Sequence, residues 1–241
     1  MHLRPEVLFF VAGFPITNTV VATIITDVII IMIVVILSKV IAIAPGNIQN
    51  VIETVVDYFN KTAEEIAGER AVFIYPWITS FFIFILISNL VAQFPGFETI
   101  KFRPTFNDGN EVSFFRAATS DLNVTLALSV ISIIVTNYLG IRYKGIKAYA
   151  RRFLSFKIFP VFLFVGILEF TNEFTKIISF SFRLFGNILA GEKVLMTMYK
   201  LLPIGFPLPF MMLELMVAIV QAVVFSMLTM VFMHIMTDKS H

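Results

Sequence analysis

Read for the alternation of apolar and polar stretches, the chain divides into long apolar runs separated by short polar segments. The first run covers about residues 17–40 and is interrupted by a single acid, Asp27. The segment "PGNIQNVIETVVDYFNKTAEEIAGER" then turns to mixed polarity, with apolar residues at Ile48, Val51, Ile52, Val55, Val56 and Phe59. A spacing of three and four predicts an amphipathic helix over 46–66, lying at a membrane surface. A second run, 73–94, stops at the Pro95, Gly96 pair, and 95–121 reads as a loop. Asp121 stands at an N-cap position for a third run, 122–139. After the segment 142–157 come two long helical patterns, 160–202 and 207–236, split by "PIGFPLP".

A bilayer core about 30 Å thick takes roughly 20 apolar residues per helix. The pattern therefore predicts an all-α, polytopic membrane protein: one domain over 1–241 with about five membrane-embedded helices and one surface helix. Pattern 160–202 would be roughly 65 Å long, twice the bilayer core, so it must be steeply tilted or broken. The last two patterns form a tilted hairpin.

Composition agrees: 58% of the 241 residues are hydrophobic, 14% are charged, and the mean hydropathy is +0.90. No Cys is present, which excludes disulfides, thiolate metal sites and iron–sulfur ligation, and three His are too few for haem or copper chemistry. No cofactor, metal or nucleic acid is expected, and there is no phosphate-binding glycine loop for nucleotide chemistry. The N-terminal "MHLRPEVLFFVAGFPITNT" has no small-residue cleavage site and is read as part of the mature chain.

Charge orients the chain. Segment 142–157 carries Arg142, Lys144, Lys147, Arg151, Arg152 and Lys157 without an acid, which marks a cytoplasmic loop. With Lys39, Lys61, Arg70 and Lys239 the inside set holds ten cations, against five outside at Arg4, Lys101, Arg103, Arg116 and Lys200. The N-terminus is then external and the C-terminus cytoplasmic.

Three cations, Lys176, Arg183 and Lys193, fall inside the 160–202 pattern. An arginine at the bilayer centre costs about 2.5–3.5 kcal/mol on insertion scales, so Arg183 needs a reason to be there. At about 100° per residue, Glu169, Asn172, Glu173, Lys176, Ser179, Arg183 and Asn187 form one polar stripe about 120° wide and about five turns long. Glu192, nine residues past Arg183, points to the opposite side, and Glu214 and Gln221, seven apart, share a face of the last helix.

Two bland explanations compete: a buried salt-bridge network joining Lys176 to Glu169 or Glu173 and Arg183 to a carboxylate, and snorkelling. Buried ion pairs often add no net stability. Snorkelling suits Lys39 and Lys200 near helix ends but not Arg183. An ion pathway fits better. A guanidinium stays charged at any physiological pH, so it carries no proton, while at about 4 Å and an effective dielectric near 20 it favours an ionised carboxylate by several kcal/mol. No acid of this chain is evidently spare for that duty, so the carboxylate is expected on another protein.

"SFRLFGNILAGE" (181–192), "SDLNVTLALS" (120–129), "PGNIQNVIE" (45–53) and "LELMVAIVQAVVFSMLTMVF" (213–232) together resemble subunit a of the F-type ATP synthase, the stator of its rotary membrane motor. The resemblance spans most of 45–238, and the RLFGN stretch with its downstream Gln is its most specific part. It implies that Arg183 is the stator arginine facing proton-binding carboxylates of a c-ring, with Asn187 and Gln221 as polar neighbours. It further implies that Glu192 and Glu214 serve an external half-channel, and Glu169, Asn172 and Ser179 a cytoplasmic one. Implied partners are the c-ring, peripheral-stalk b subunits, protons and the lipid bilayer, in the inner membrane of a bacterium. The chain would have no catalytic site of its own.

Two departures matter. Many members carry a His at one external position where both are Glu here, and some carry an acid near the end of the second span, where this chain has Ser88 and Asn89. Two rival functions remain: a secondary ion-coupled transporter, which predicts inverted repeats that the sequence does not show, and a structural subunit of another membrane complex. Asp27 fits none of these roles; three readings stay open for it, capping a kink, contact with a neighbouring stator subunit and facing an outer vestibule, of which contact with a partner is preferred.

Overall fold

The computed structural model describes residues 6–11, 13–40, 46–93, 101–102, 112–113, 116–147, 149, 161–201, 205 and 207–238. Much of the 95–121 loop, Arg151, Arg152 and Lys157 of the basic loop, Pro203, Ile204 and Phe206 of the "PIGFPLP" corner, and Arg4, Arg103 and Lys239 lie outside the described residues.

Among the described residues, six long helices carry the fold: α1 (Asn18–Val40), α2 (Asn47–Ala67), α3 (Ala71–Ala92), α4 (Leu122–Lys144), α5 (Val161–Leu201) and α6 (Pro207–Thr237). Four stretches of the described residues are long and apolar enough to cross a membrane: Asn18–Lys39, Gln49–Ala92, Leu122–Lys144 and Pro207–Thr237. Helix α5 is not among them, because its polar residues break its apolar runs, yet its 41 residues form one unbroken helix. At about 1.5 Å per residue it is about 62 Å long. Of the two alternatives for this segment, a break is therefore excluded and a tilt remains.

Local sequence explains where several helices start and turn. Asp121 caps α4, its carboxylate accepting from the Asn123 backbone N–H at 2.9 Å, and it also accepts from the Thr19 hydroxyl of α1 at 2.9 Å. Between α2 and α3, Gly68 takes φ +57°, a backbone conformation that L side chains rarely adopt, and donates its N–H to the Glu64 carbonyl. A hairpin of β1 (Val7–Val11) and β2 (Phe14–Thr17) precedes α1, and a two-residue ladder pairs β3 (Lys101–Phe102) with β4 (Val112–Ser113). Neither hairpin is legible as a periodic pattern, since both are too short for one.

The core lies where α3, α4, α5 and α6 meet. Phe225 of α6 sits between Phe81 of α3 and Phe180 of α5, with ring centroids 5.7 and 5.0 Å away. The expected surface helix is more than a surface element: Phe59, Ala63 and Ala67 of α2 are buried in that same core, while Val51, one turn into the helix, stays exposed. Arg70, just beyond α2, reaches Asp238 at the end of α6 (3.7 Å).

A row of small hydroxyls holds α4 in place. Thr125, Ser129, Ser132 and Thr136, spaced four, three and four, are all buried. Thr125 bonds Ser181 of α5 at 3.1 Å and Ser132 bonds Thr229 of α6 at 3.0 Å. Small hydroxyl residues let helices approach closely and supply the interhelical hydrogen bonds that an apolar medium rewards. A double-mutant cycle of Ser132→Ala and Thr229→Ala, read by reversible unfolding in mixed micelles, is expected to give a coupling of about 0.6 kcal/mol and no more than about 2 kcal/mol. Additive effects would show that the bond contributes nothing.

Candidate functional site

Helix α5 has two unlike faces, and the site follows from that division. Phe180, Ser181, Leu184, Ile188 and Glu192 are buried, whereas Asn172, Ser179, Arg183 and Asn187 are exposed. Glu169, Glu173 and Lys176 lie on the border between the faces, partly buried. The polar stripe read from periodicity is thus one continuous feature with an open edge and a packed edge.

On the open edge, Arg183 donates to the Ser179 hydroxyl one turn back, at 3.4 Å. It makes no ion pair with any described carboxylate. The salt-bridge explanation therefore fails for Arg183. It holds for Lys176, whose ammonium lies 2.8 Å from Glu173 and 4.7 Å over the ring of Phe232 on α6. A permanently charged group without a carboxylate partner among the described residues faces outward at mid-helix.

On the packed side, α5 and α6 run antiparallel and bring Glu192 and Glu214 together. Glu192 is 6% and Glu214 7% exposed. Gly191 makes their meeting possible: a Cβ built there would stand 3.1 Å from Glu214 Oε1 and 3.2 Å from its Cδ. Both carboxyl oxygens of Glu192, and Oε2 of Glu214, are buried without a hydrogen-bond partner. A buried polar group in this state calls for a water or a proton. Two neighbouring carboxyls with no ion pair and few hydrogen bonds are equipped to take up, exchange and release protons.

Gln221 is half-buried on α6 and makes no hydrogen bond to Arg183 or Asn187. Glu169 and Asn172 stand about three to four turns before Arg183 on the same helix, well away from Glu192. The sequence-predicted residues thus fall into three places: the Glu192/Glu214 pair inside, the Arg183, Ser179 and Asn187 group on the open face, and Glu169 with Asn172 toward the start of α5.

Sequence reading undervalued the end of α3. Asn89, 1% exposed, accepts from the Thr119 hydroxyl at 2.7 Å and donates to the Ala218 carbonyl at 3.5 Å, one turn beyond Glu214. Arg116, counted as a loop cation, is 5% exposed and donates to the Ser120 hydroxyl at 3.1 Å. The only signal was the cluster "RAATSD" ahead of α4, a run of polar residues whose burial no periodicity announces.

The model of the ATP synthase A chain family matches residues 20–234. A protein of Moorella thermoacetica named ATP synthase subunit a is 30% identical over 96% of this chain and 95% of its own length. Proteins of the same name from Geotalea daltonii and Geobacter sulfurreducens are 32% and 31% identical, over 82% and 85% of this chain and 77% and 80% of theirs.

The Gly191 contact makes a prediction of its own. Gly191→Ala should leave thermal stability within about 1 kcal/mol, because the gain of about 1 kcal/mol in helix propensity offsets a small shift of the flexible Glu214 side chain. Gly191→Val, branched at Cβ, should destabilise by about 1–3 kcal/mol. Equal melting temperatures for the two variants would show that Glu214 does not rest on Gly191.

Proposed function

The chain belongs to the ATP synthase A chain family, and on that premise we propose that it is the stator subunit through which protons reach and leave a rotating ring of carboxylates. It is an integral membrane protein of the synthase's membrane sector. The proposed partners are the c-ring and the peripheral-stalk b subunits, and the proposed location is a bacterial inner membrane, with the N-terminus outside and the C-terminus in the cytoplasm.

One observation carries the reading: Arg183 is exposed on α5 with no carboxylate partner among the described residues, while two acids are buried on the opposite side of that helix. In the proposed sequence, a proton enters from outside through Glu214 and Glu192 and neutralises a ring carboxylate. The ring carries it round through lipid. On the inner side it leaves past Ser179, Asn172 and Glu169. Arg183 stands between the two paths. Its charge favours the ionised ring carboxylate that arrives opposite it, and because it holds its own proton it passes none across.

In this proposal Asn187, one turn after Arg183 on α5, and Gln221 of α6 supply polar surface toward the ring. Each proton moving down the potential gains about 2.3 kcal/mol per 100 mV, so several are needed per ATP. The chain itself performs no nucleotide chemistry.

The test is ATP-driven proton pumping in inverted vesicles carrying the whole complex. Arg183→Ala should reduce pumping to background, and Arg183→Lys should fail too, because an ammonium lacks the fork and can lose its proton. Retention of most activity by Arg183→Ala would sink the assignment. Glu214→Gln should slow pumping by about 10²-fold, the lower end of what a positioned proton-transfer group contributes. Unchanged rates would remove Glu214 from the path.

A further inference from the structure

The β1–β2 hairpin is apolar and exposed on both of its faces. Residues 7–17, "VLFFVAGFPIT", carry no charge. Pairing sets Phe9 opposite Ile16, Phe10 opposite Pro15 and Val11 opposite Phe14. Side chains alternate along a strand, so Phe9 and Phe14 share one face, and Phe10 and Pro15 the other. Phe9 is 41%, Phe10 57% and Phe14 74% exposed, and Pro15 is exposed with them. The root of the hairpin, by contrast, is fixed to its own chain. Leu8 is buried, and Asn18, the first residue of α1, donates its backbone N–H to the Glu6 carbonyl at 3.0 Å while its side-chain oxygen accepts from the Glu6 N–H at 3.3 Å. The three rings are thereby held within about 15 Å of the start of α1, where a stretch long and apolar enough to cross a bilayer begins.

Water would leave three phenyl rings wet on a segment with no charge to offset them. The hydrocarbon core is excluded by the backbone. The sheet has two strands, with no third among the described residues, so each strand has an outer edge of N–H and C=O groups that lipid tails cannot satisfy. The headgroup–acyl boundary meets both demands, taking the rings among the upper acyl carbons and offering water and ester oxygens to the edges. A protein partner fits less well, since a surface docked on one face would leave the ring on the other in water, whereas lipids surround both. The helices point the same way. Asp121, which caps α4, bonds Thr19 of α1, and Asn89 of α3 bonds Thr119, so the start of α1, the end of α3 and the start of α4 lie at one end of the bundle. Membrane proteins carry aromatic side chains at both bilayer boundaries, yet the turns at this end, 18–29, 85–92 and 122–137, contain no Phe, Tyr or Trp. On α3 and α4 the exposed Trp77 and Tyr138 stand toward the other end, Tyr138 about 24 Å from the start of α4. Phe9, Phe10 and Phe14 occupy the level at which these helices lack boundary aromatics.

We propose that the β1–β2 hairpin is a lipid anchor, seated in the headgroup–acyl boundary of the leaflet beside the start of α1, with Phe9, Phe10 and Phe14 among the lipids. Seated there, it sets the depth at which α1 enters the bilayer. Through Asn18, whose side-chain amide donates to the Ser113 carbonyl, and Thr19, whose hydroxyl donates to the Asp121 carboxylate, it also sets the depth of the segment leading into α4. The leaflet is the outer one in the orientation proposed above. The anchoring stands or falls without that orientation, and without the roles of Arg183 and the glutamates.

The chain contains no Cys, so single cysteines can be placed in it without background. In a complex whose other subunits are likewise freed of Cys, Phe9→Cys, Phe10→Cys and Phe14→Cys would each carry a nitroxide, with the exposed Glu65→Cys of α2 as the water reference. The complex is reconstituted in vesicles of phosphatidylcholine and phosphatidylglycerol. Collision rates are then measured with oxygen, which concentrates in lipid, and with a water-soluble nickel chelate. The expected result at all three positions is an oxygen-to-nickel ratio at least about threefold that at Glu65→Cys, as for side chains about 5–10 Å into the boundary. A ratio equal to that at Glu65→Cys would place the hairpin in water, and low collision with both reagents would place it against protein; either overturns the proposal. Phe9→Ser together with Phe14→Ser should bring the ratio at Phe10→Cys down to the Glu65→Cys value, and an unchanged ratio would show that the rings do not hold the hairpin in lipid. Should that double variant lower the amount of assembled complex, the three single-site ratios still decide.

Discussion

A guanidinium that cannot give up its proton, fixed on the open face of a helix whose other face is packed, is the constraint around which the rest of the structure is arranged. Arg183 belongs to a helix too long to stand upright in a bilayer core. That helix is held by α4 through Thr125 and Ser181, and by α6 through Phe180 and Phe225. Because those contacts occupy one side, Arg183 is presented outward, and Glu192, half a revolution away, is directed inward against Glu214.

The same division decides how each charged group is satisfied. Lys176 and Glu173, at the border of the two faces, neutralise one another, and the cation also rests on Phe232. Glu192 and Glu214 have neither a cation nor a full set of hydrogen bonds, as suits groups that exchange protons with water. Among the described residues Arg183 bonds only Ser179. On α5, Lys176 and Glu173 are paired within the chain, whereas the proposed function engages Arg183 and Glu192 with ring carboxylates and protons.

Much of the framework is legible without coordinates because it rests on local rules. The 3.6-residue period yields the helices and the polar stripe, Asp121 marks the start of α4, and nine residues between Arg183 and Glu192 amount to half a revolution. The hydroxyl row on α4 was equally open to reading, since Thr125, Ser129, Ser132 and Thr136 keep helical spacing. Hydroxyls in an apolar run, however, give too little polar contrast to mark a seam. The burial of Arg116 and Asn89 was not open to reading in this way, for it depends on where three separate segments converge.

The sequence alone determined that this chain is a bundle of membrane helices, which residues share a helix face, and which charge stands where no charge should. Those are properties of one chain segment at a time, set by helical geometry and by the cost of polarity in an apolar medium. Only the tertiary structure decided that α5 is unbroken, that α2 ends in the core, that Asn89 reaches the backbone beside Glu214, and that Gly191 admits the Glu214 carboxyl. Each of these is a contact between residues distant in sequence. Such contacts depend on how close two helices come, and that distance is fixed by side-chain volumes on both partners at once.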